Sequence, residues 1–174
     1  MKNIFNSLVI ILFLIILFSN KTEAQYEVNK HYLGPEIGFV FNGSTLQFGA
    51  NYEYALNIQD IGNIGIGGIF RYWSFGDADW HYTDIVIGGQ GNYHFRLKSK
   101  KLDIWSGLVL GYDFGSWSYD GPDSGFLEPT YGGFILTVNG GARYWFSPTI
   151  AVTARLGFGS LSYGALEFGV DFKL

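Results

Sequence analysis

The sequence predicts an all-β fold, an eight-stranded antiparallel up-and-down transmembrane β-barrel, and three observations predict it. The chain opens on an apolar, signal-like segment. Behind it, about eight segments alternate bulky apolar residues with small or charged ones. No stretch after residue 25 is long and apolar enough for a transmembrane helix, so a span has to be built from strands. The alternation is clearest at the C-terminal end. Ile150, Val152, Ala154, Leu156 and Phe158 take one face against Ala151, Thr153, Arg155 and Gly157. Leu166, Phe168, Val170, Phe172 and Leu174 do the same against Glu167, Gly169, Asp171 and Lys173. Successive side chains of a strand point to opposite faces, so this spacing separates an apolar surface from a polar one.

Residues 1–24 read as a secretory signal peptide outside the fold. Lys2 supplies the positive start, Leu8 to Phe18 an apolar core too short to span a bilayer, and Thr22-Glu23-Ala24 a small-residue cleavage site. Cleavage is expected after Ala24. Removing Lys2, Lys21 and Glu23 leaves 9 basic against 14 acidic residues, a net charge of −5. Such a balance argues against nucleic acid, which rewards clustered Lys and Arg. With no cysteine there is no disulfide, thiolate metal site or thiol nucleophile. About 150 residues form one domain. Residues 25–31 are expected as a short N-terminal periplasmic segment, and 32–174 as the outer-membrane barrel.

Strands are expected at about 32–41, 45–56, 64–75, 83–95, 102–114, 133–146, 149–158 and 164–174. Asn42-Gly43 is a strong hairpin signal for the first turn. Asn57 to Asn63, Lys98 to Lys101 and Ser147-Pro148 read as short turns, and Gly159 to Tyr163 as a slightly longer one. Residues 115–132 read as the single long loop, with Asp120-Gly121-Pro122-Asp123 at its tip.

A soluble barrel with an apolar interior would alternate too, and three features choose the membrane. The apolar face, with Phe39, Phe48, Tyr52, Phe70, Tyr93, Phe134, Phe168 and others, is too bulky for an eight-stranded lumen. Its opposite is rich in glycine, where a water-facing surface would carry many charges, and the chain is only 15% charged. The aromatics gather toward strand ends, with Ile66, Ile87, Leu108 and Val138 nearer the middle, as in an apolar band between aromatic girdles. Eight strands return both termini to one side, the periplasm of an outer membrane. The turns at 57–63, 96–101 and 147–148 then face the periplasm, and 42–44, 76–82, 115–132 and 159–163 face outward. Charge divides likewise, with Arg96, Lys98, Lys100 and Lys101 on the periplasmic side and Asp77, Asp79, Asp120, Asp123 and Glu128 outside.

With these eight segments and the ending Leu166-x-Phe168-x-Val170-x-Phe172-x-Leu174, the chain resembles the small eight-stranded outer-membrane barrels of the OmpA/OmpX type over residues 32–174. The ending is similar to the terminal signal read by the outer-membrane barrel-assembly machinery, although that pattern usually closes on an aromatic residue and this chain on Leu174. The resemblance implies outer-membrane lipids, the assembly machinery and periplasmic chaperones as partners. Its members serve as envelope stabilisers, adhesins, small-solute passages or lipid enzymes, so the fold does not select the function.

The expected inward charges are Glu36, Glu53, Arg71, Asp84, His94, Asp103, Asp113, Arg143, Arg155, Glu167, Asp171 and Lys173. Mixed signs on neighbouring strands favour a plug of ion pairs over a polar pathway, because an unpaired buried charge is costly. His94 and Asp103 face each other across a turn and read as a structural pair, with no nucleophile beside them. Asp77, Asp79 and His81, near Ser74, are the only group reminiscent of a hydrolase or metal site, and read as a solvated acidic loop. Asp77, Asp79, Asp120 and Asp123 offer carboxylates for a weak divalent-cation contact but lack a calcium-loop pattern. Gly65-Ile66-Gly67-Gly68 and Gly88-Gly89-Gln90-Gly91 sit inside strands with no helix after them and are not phosphate cradles. No catalytic residue, cofactor or metal ligand is assigned. The expectation is a non-enzymatic barrel with a mostly filled lumen and loops for surface interaction or envelope integrity. The alternatives are a narrow passage for small solutes or lipids, a lipid-modifying enzyme, and a soluble ligand-binding barrel.

Overall fold

The computed structural model describes residues 26–41, 44–121, 131–161 and 163–174. The targeting segment with its cleavage point, the Asn42-Gly43 turn, and Pro122, Asp123 and Glu128 of the long loop lie outside the described residues. Among the described residues nine strands follow in order: β1 (His31–Val40), β2 (Thr45–Ile58), β3 (Gly62–Asp77), β4 (Trp80–Phe95), β5 (Leu102–Asp113), β6 (Ser116–Tyr119), β7 (Gly133–Trp145), β8 (Ile150–Gly159) and β9 (Gly164–Lys173). Eight of them pair antiparallel with their sequence neighbours, β5 passing over β6 to pair with β7. β1 then closes on β9, in a register that sets Tyr32 opposite Lys173 and Phe39 opposite Leu166. The result is a closed eight-stranded barrel whose ladder leaves none of these strands with an open edge.

Two expectations are corrected. Residues 76–82 are not a loop: β3 and β4 run on through them to a turn at 78–79, with Asp77 opposite Trp80. The segment 115–132 is not purely a loop either, because β6 lies within it and pairs with the far end of β4, Thr83 opposite Ser116 and Trp80 opposite Tyr119. The cause is local and aromatic. Trp80 and Tyr82 on β4 meet Trp117 and Tyr119 on β6, with Trp80 4.7 Å from Tyr119 and 5.2 Å from Trp117 between ring centroids. Cross-strand aromatic pairs of this kind stabilise a ladder where turn signals alone predict coil. A three-stranded ribbon thus projects at the end of the barrel away from the termini.

Burial is inverted relative to a water-soluble protein. Phe134 and Leu110 are 77% and 64% exposed, while Arg71 and Glu53 are 1% and 3% exposed. Apolar side chains therefore coat the wall and polar ones fill the centre. Glycine on the inner face makes the room. A Cβ at Gly65 would lie 2.3 Å from the Glu53 carboxyl carbon, and one at Gly49 2.6 Å from Arg71 Cδ. Where the chain re-enters the barrel, Gly132 adopts φ +84°, open to glycine at no steric cost, and a Cβ there would stand 2.5 Å from the Asp113 carbonyl oxygen.

Candidate functional site

The strand period carries side chains from all eight barrel strands into one lumen. Glu36, Glu53, Arg71, Asp84, His94, Asp103, Asp113, Arg143, Arg155, Glu167, Asp171 and Lys173 are all buried there. They divide into two layers and an outlying pair.

Arg71 organises the layer farther from the termini. Its guanidinium donates to Glu36 at 2.8 Å, to Asn51 Oδ1 at 2.8 Å, to the carbonyls of Phe70 at 2.8 Å and Ala50 at 3.0 Å, and to both oxygens of Glu167. A rigid five-donor fork suits such a site, since every N–H finds an acceptor without a second cation. Gln47 also donates to Glu167, and the Tyr163 hydroxyl donates to Gln47 Oε1 at 3.2 Å. Arg155 is held less closely: it donates to Gln90 Oε1 at 3.0 Å, and its Nε stands 3.8 Å from Glu167. The space left among Arg71, Arg155, Asn139, Tyr163 and Glu167 is about 20 Å³, enough for about one water molecule.

Arg143 organises the layer nearer the termini. It donates to Asp171 at 2.6 Å and to Asp103 at 3.1 Å, and lies 3.7 Å from Glu53. His94 bridges the same acids, with Nδ1 2.9 Å from Asp103 and Nε2 3.2 Å from Glu53. Asn92 donates to Glu53 at 2.6 Å. Aromatic rings seal this layer. The Arg143 guanidinium sits 5.0 Å from the Tyr32 ring centroid and 5.1 Å from that of Trp105, within cation–π range. Tyr26 reaches into the lumen from the N-terminal segment and stacks on His94 at 3.6 Å, while Lys173 Nζ reaches Glu27 at 2.5 Å. His94 is thus hydrogen-bonded through Nδ1 to Asp103 and covered on one face by Tyr26, while its Nε2 approaches Glu53 without a hydrogen bond.

Asp84 and Asp113 stand apart near the far end, where the Tyr131 hydroxyl donates to Asp84 at 2.9 Å. Ser74 and His81 are not joined by a hydrogen bond among the described residues. The Ser74 hydroxyl donates to the Tyr82 carbonyl at 2.8 Å, and exposed His81 pairs with Asp120 at 3.2 Å. Among the described residues, no group of three or more acidic or histidine side chains is placed to hold a metal ion. Leu166, Phe168, Val170, Phe172 and Leu174 share the outer face of β9 and its end, with Glu167, Asp171 and Lys173 inside.

Sequence reasoning missed the uncharged part of the lumen. Tyr32 has the parity of Glu36, Trp105 that of Asp103, Trp145 that of Arg143, and Gln47 and Asn51 that of Glu53, so strand period alone would have found them. Tyr26 precedes every alternating segment and gave no such signal.

No protein-family model and no curated protein matches the chain. Its structure is similar to the N-terminal β-barrel domain of Pseudomonas aeruginosa OprF, at 14% identity and a TM-score of 0.58 over 84% of this chain and 98% of that one. It is similar to Neisserial surface protein A at 16% identity and a TM-score of 0.52, over 83% and 94% of the two chains. A designed transmembrane β-barrel matches with 14% identity and a TM-score of 0.56 over 86% and 99%. The likeness is one of fold: the chain has the fold of the small eight-stranded outer-membrane β-barrels, as the alternating strands led one to expect.

Proposed function

We propose that this chain is a non-enzymatic integral protein of a bacterial outer membrane, with a lumen closed to solutes and projecting strands that serve surface interaction or envelope integrity. The observation that carries the reading is the pair of ion-pair layers centred on Arg71 and Arg143, which lie across the lumen and are each built from several strands. Buried charges are tolerated when each finds an opposite partner and hydrogen bonds for its remaining positions. The close pairs made by Arg71 and Arg143 place side chains from several strands across the interior of an eight-stranded barrel, which is only just wide enough for its own side chains. The apolar outer wall supports the membrane location. In this placement the termini and the turns at 59–61, 96–101 and 146–149 face the periplasm, and the β3–β4–β6 ribbon faces outward. The outer face of β9 serves as the signal read by the barrel-assembly machinery, with periplasmic chaperones escorting the exported chain. Cleavage after Ala24 precedes insertion.

The test is electrical. Purified protein in a planar bilayer is expected to give no steady current, while fractionation of cells recovers it with the outer membrane. A steady porin-like current would replace this reading with that of a narrow passage. Recovery from the soluble periplasm would overturn the membrane location itself.

A further inference from the structure

On the outer wall, at the end of the barrel that carries the termini, the β2–β3 turn and the end of β4 line an open hollow of about 330 Å³. That is within the size range of small-ligand sites. Its lining includes Ile58, Asp60, Ile61, Gly62, Tyr93 and Arg96. Three features of it bear on what it could hold. Ile58 at the end of β2 and Ile61 on the turn after it are 41% and 57% exposed, an apolar pair beside the polar groups of the same hollow. Asp60 and Arg96, of opposite charge and both exposed, line the same hollow, and no hydrogen bond or ion pair engages either of them among the described residues. The Tyr93 hydroxyl lies by Gly62 at the mouth, where it too has no hydrogen-bond partner among the described residues.

We propose that this cavity binds the headgroup of a zwitterionic phospholipid with a primary ammonium, of the phosphatidylethanolamine kind, in the inner leaflet. The inference rests on the membrane placement proposed above, which sets the cavity at the level of that leaflet's headgroups. Arg96 takes the phosphate, for which a guanidinium fork is suited. Asp60 takes the ammonium, and the Tyr93 ring sits at the boundary that tyrosine favours, with its hydroxyl toward the polar layer. Ile58 and Ile61 meet the first methylenes of the acyl chains. Opposite charges on one cavity select a zwitterion over an anionic lipid, because Asp60 repels a headgroup that carries only negative charge. The remaining discrimination, against a quaternary ammonium, comes from the hydrogen bonds that only N–H groups can donate to a carboxylate.

The test uses the whole chain refolded into nanodiscs or detergent, with equal amounts of phosphatidylethanolamine, phosphatidylcholine and phosphatidylglycerol, and native mass spectrometry of the retained lipid. Phosphatidylethanolamine is expected to be retained about two- to fivefold over phosphatidylglycerol, the size of one interfacial ion pair. Asp60→Asn should abolish that preference without lowering total lipid, and Arg96→Gln should lower retention of all three lipids. Equal retention of the three lipids by the unaltered chain, or a preference for phosphatidylglycerol, overturns the site, as does a preference that survives Asp60→Asn. The mobility difference between heated and unheated samples monitors insertion separately. A folded barrel without lipid preference overturns this site alone, and a chain that does not insert overturns the membrane placement and the site together.

Discussion

Arg71 and Arg155 share Glu167 on unequal terms, and the difference sets what each substitution costs. Arg71 makes close hydrogen bonds to Glu36 and Glu167, whereas Arg155 stands 3.8 Å from Glu167 and leans on neutral Gln90. Arg71→Leu leaves two buried carboxylates without their main partner and is expected to destabilise the barrel by about 3–5 kcal/mol. Arg155→Leu should cost clearly less, because Glu167 keeps Arg71 and Gln47. Urea unfolding in lipid vesicles ranks the two, and equal losses would mean that Arg71 does not organise its layer. Gly65 gives a steric counterpart. A methyl there meets the Glu53 carboxyl carbon at 2.3 Å, so Gly65→Ala must push Glu53 away from His94 and Asn92. The expected loss is about 1–3 kcal/mol by the same unfolding measurement, the range for overpacking a filled interior.

Strand period explains what could be read from the sequence at the level of elements. In β8 and β9 every second residue is apolar, and both strands end within a residue of where alternation stops. β3 and β4 run farther than the pattern suggested, because Gly76 and Asp77 look like turn residues while the ladder to His81 and Trp80 holds them extended. β6 was illegible for a related reason: Ser116 to Tyr119 is a strand because β4 is beside it, a contact that no local signal encodes. Charges in the lumen were legible by parity, but which acid meets which base depends on register between strands, and the sequence does not state register. Two predictions belong here. Phe172→Asp puts a carboxylate on the wall at the end that carries the termini, the periplasmic interface in the placement proposed above, where solvation should cost about 1 kcal/mol or less. A severe loss of inserted protein in cells, with normal refolding in detergent, is expected if β9 is read as an assembly signal, and equal failure in both settings would remove that role. Tyr26→Ala removes a ring stacked on His94 and should cost about 3 kcal/mol in the same unfolding assay. Conductance should stay at background, because the ion-pair layers are untouched, and a current in this variant would make Tyr26 the seal.

For the whole molecule, inverted burial and a closed ladder act together. No barrel strand can peel away without breaking hydrogen bonds on both sides, so unfolding is expected to be all-or-none. Unheated protein should therefore migrate as a compact band in detergent gels and shift to a single slower or faster band on boiling, with no ladder of intermediates. Several partly opened bands would show that the two layers in the lumen unfold independently.

The seam between β1 and β9 has one more consequence. His31 and Leu174 exchange backbone hydrogen bonds, the His31 carbonyl accepting from Leu174 at 2.8 Å, so the two ends of the barrel domain are neighbours in space although they are farthest apart along the polypeptide. A barrel made this way cannot be completed as it is threaded out, because its first strand waits for its last. Contacts of such long sequence separation are slow to form, and until they do, both seam strands offer unpaired edges to any neighbouring chain. The same adjacency makes the order of strands arbitrary. A linker from Leu174 to Tyr26, which keeps the segment that stacks on His94 and pairs with Lys173, would let new ends be opened at the 78–79 turn, giving a rearranged chain that encloses an unchanged interior.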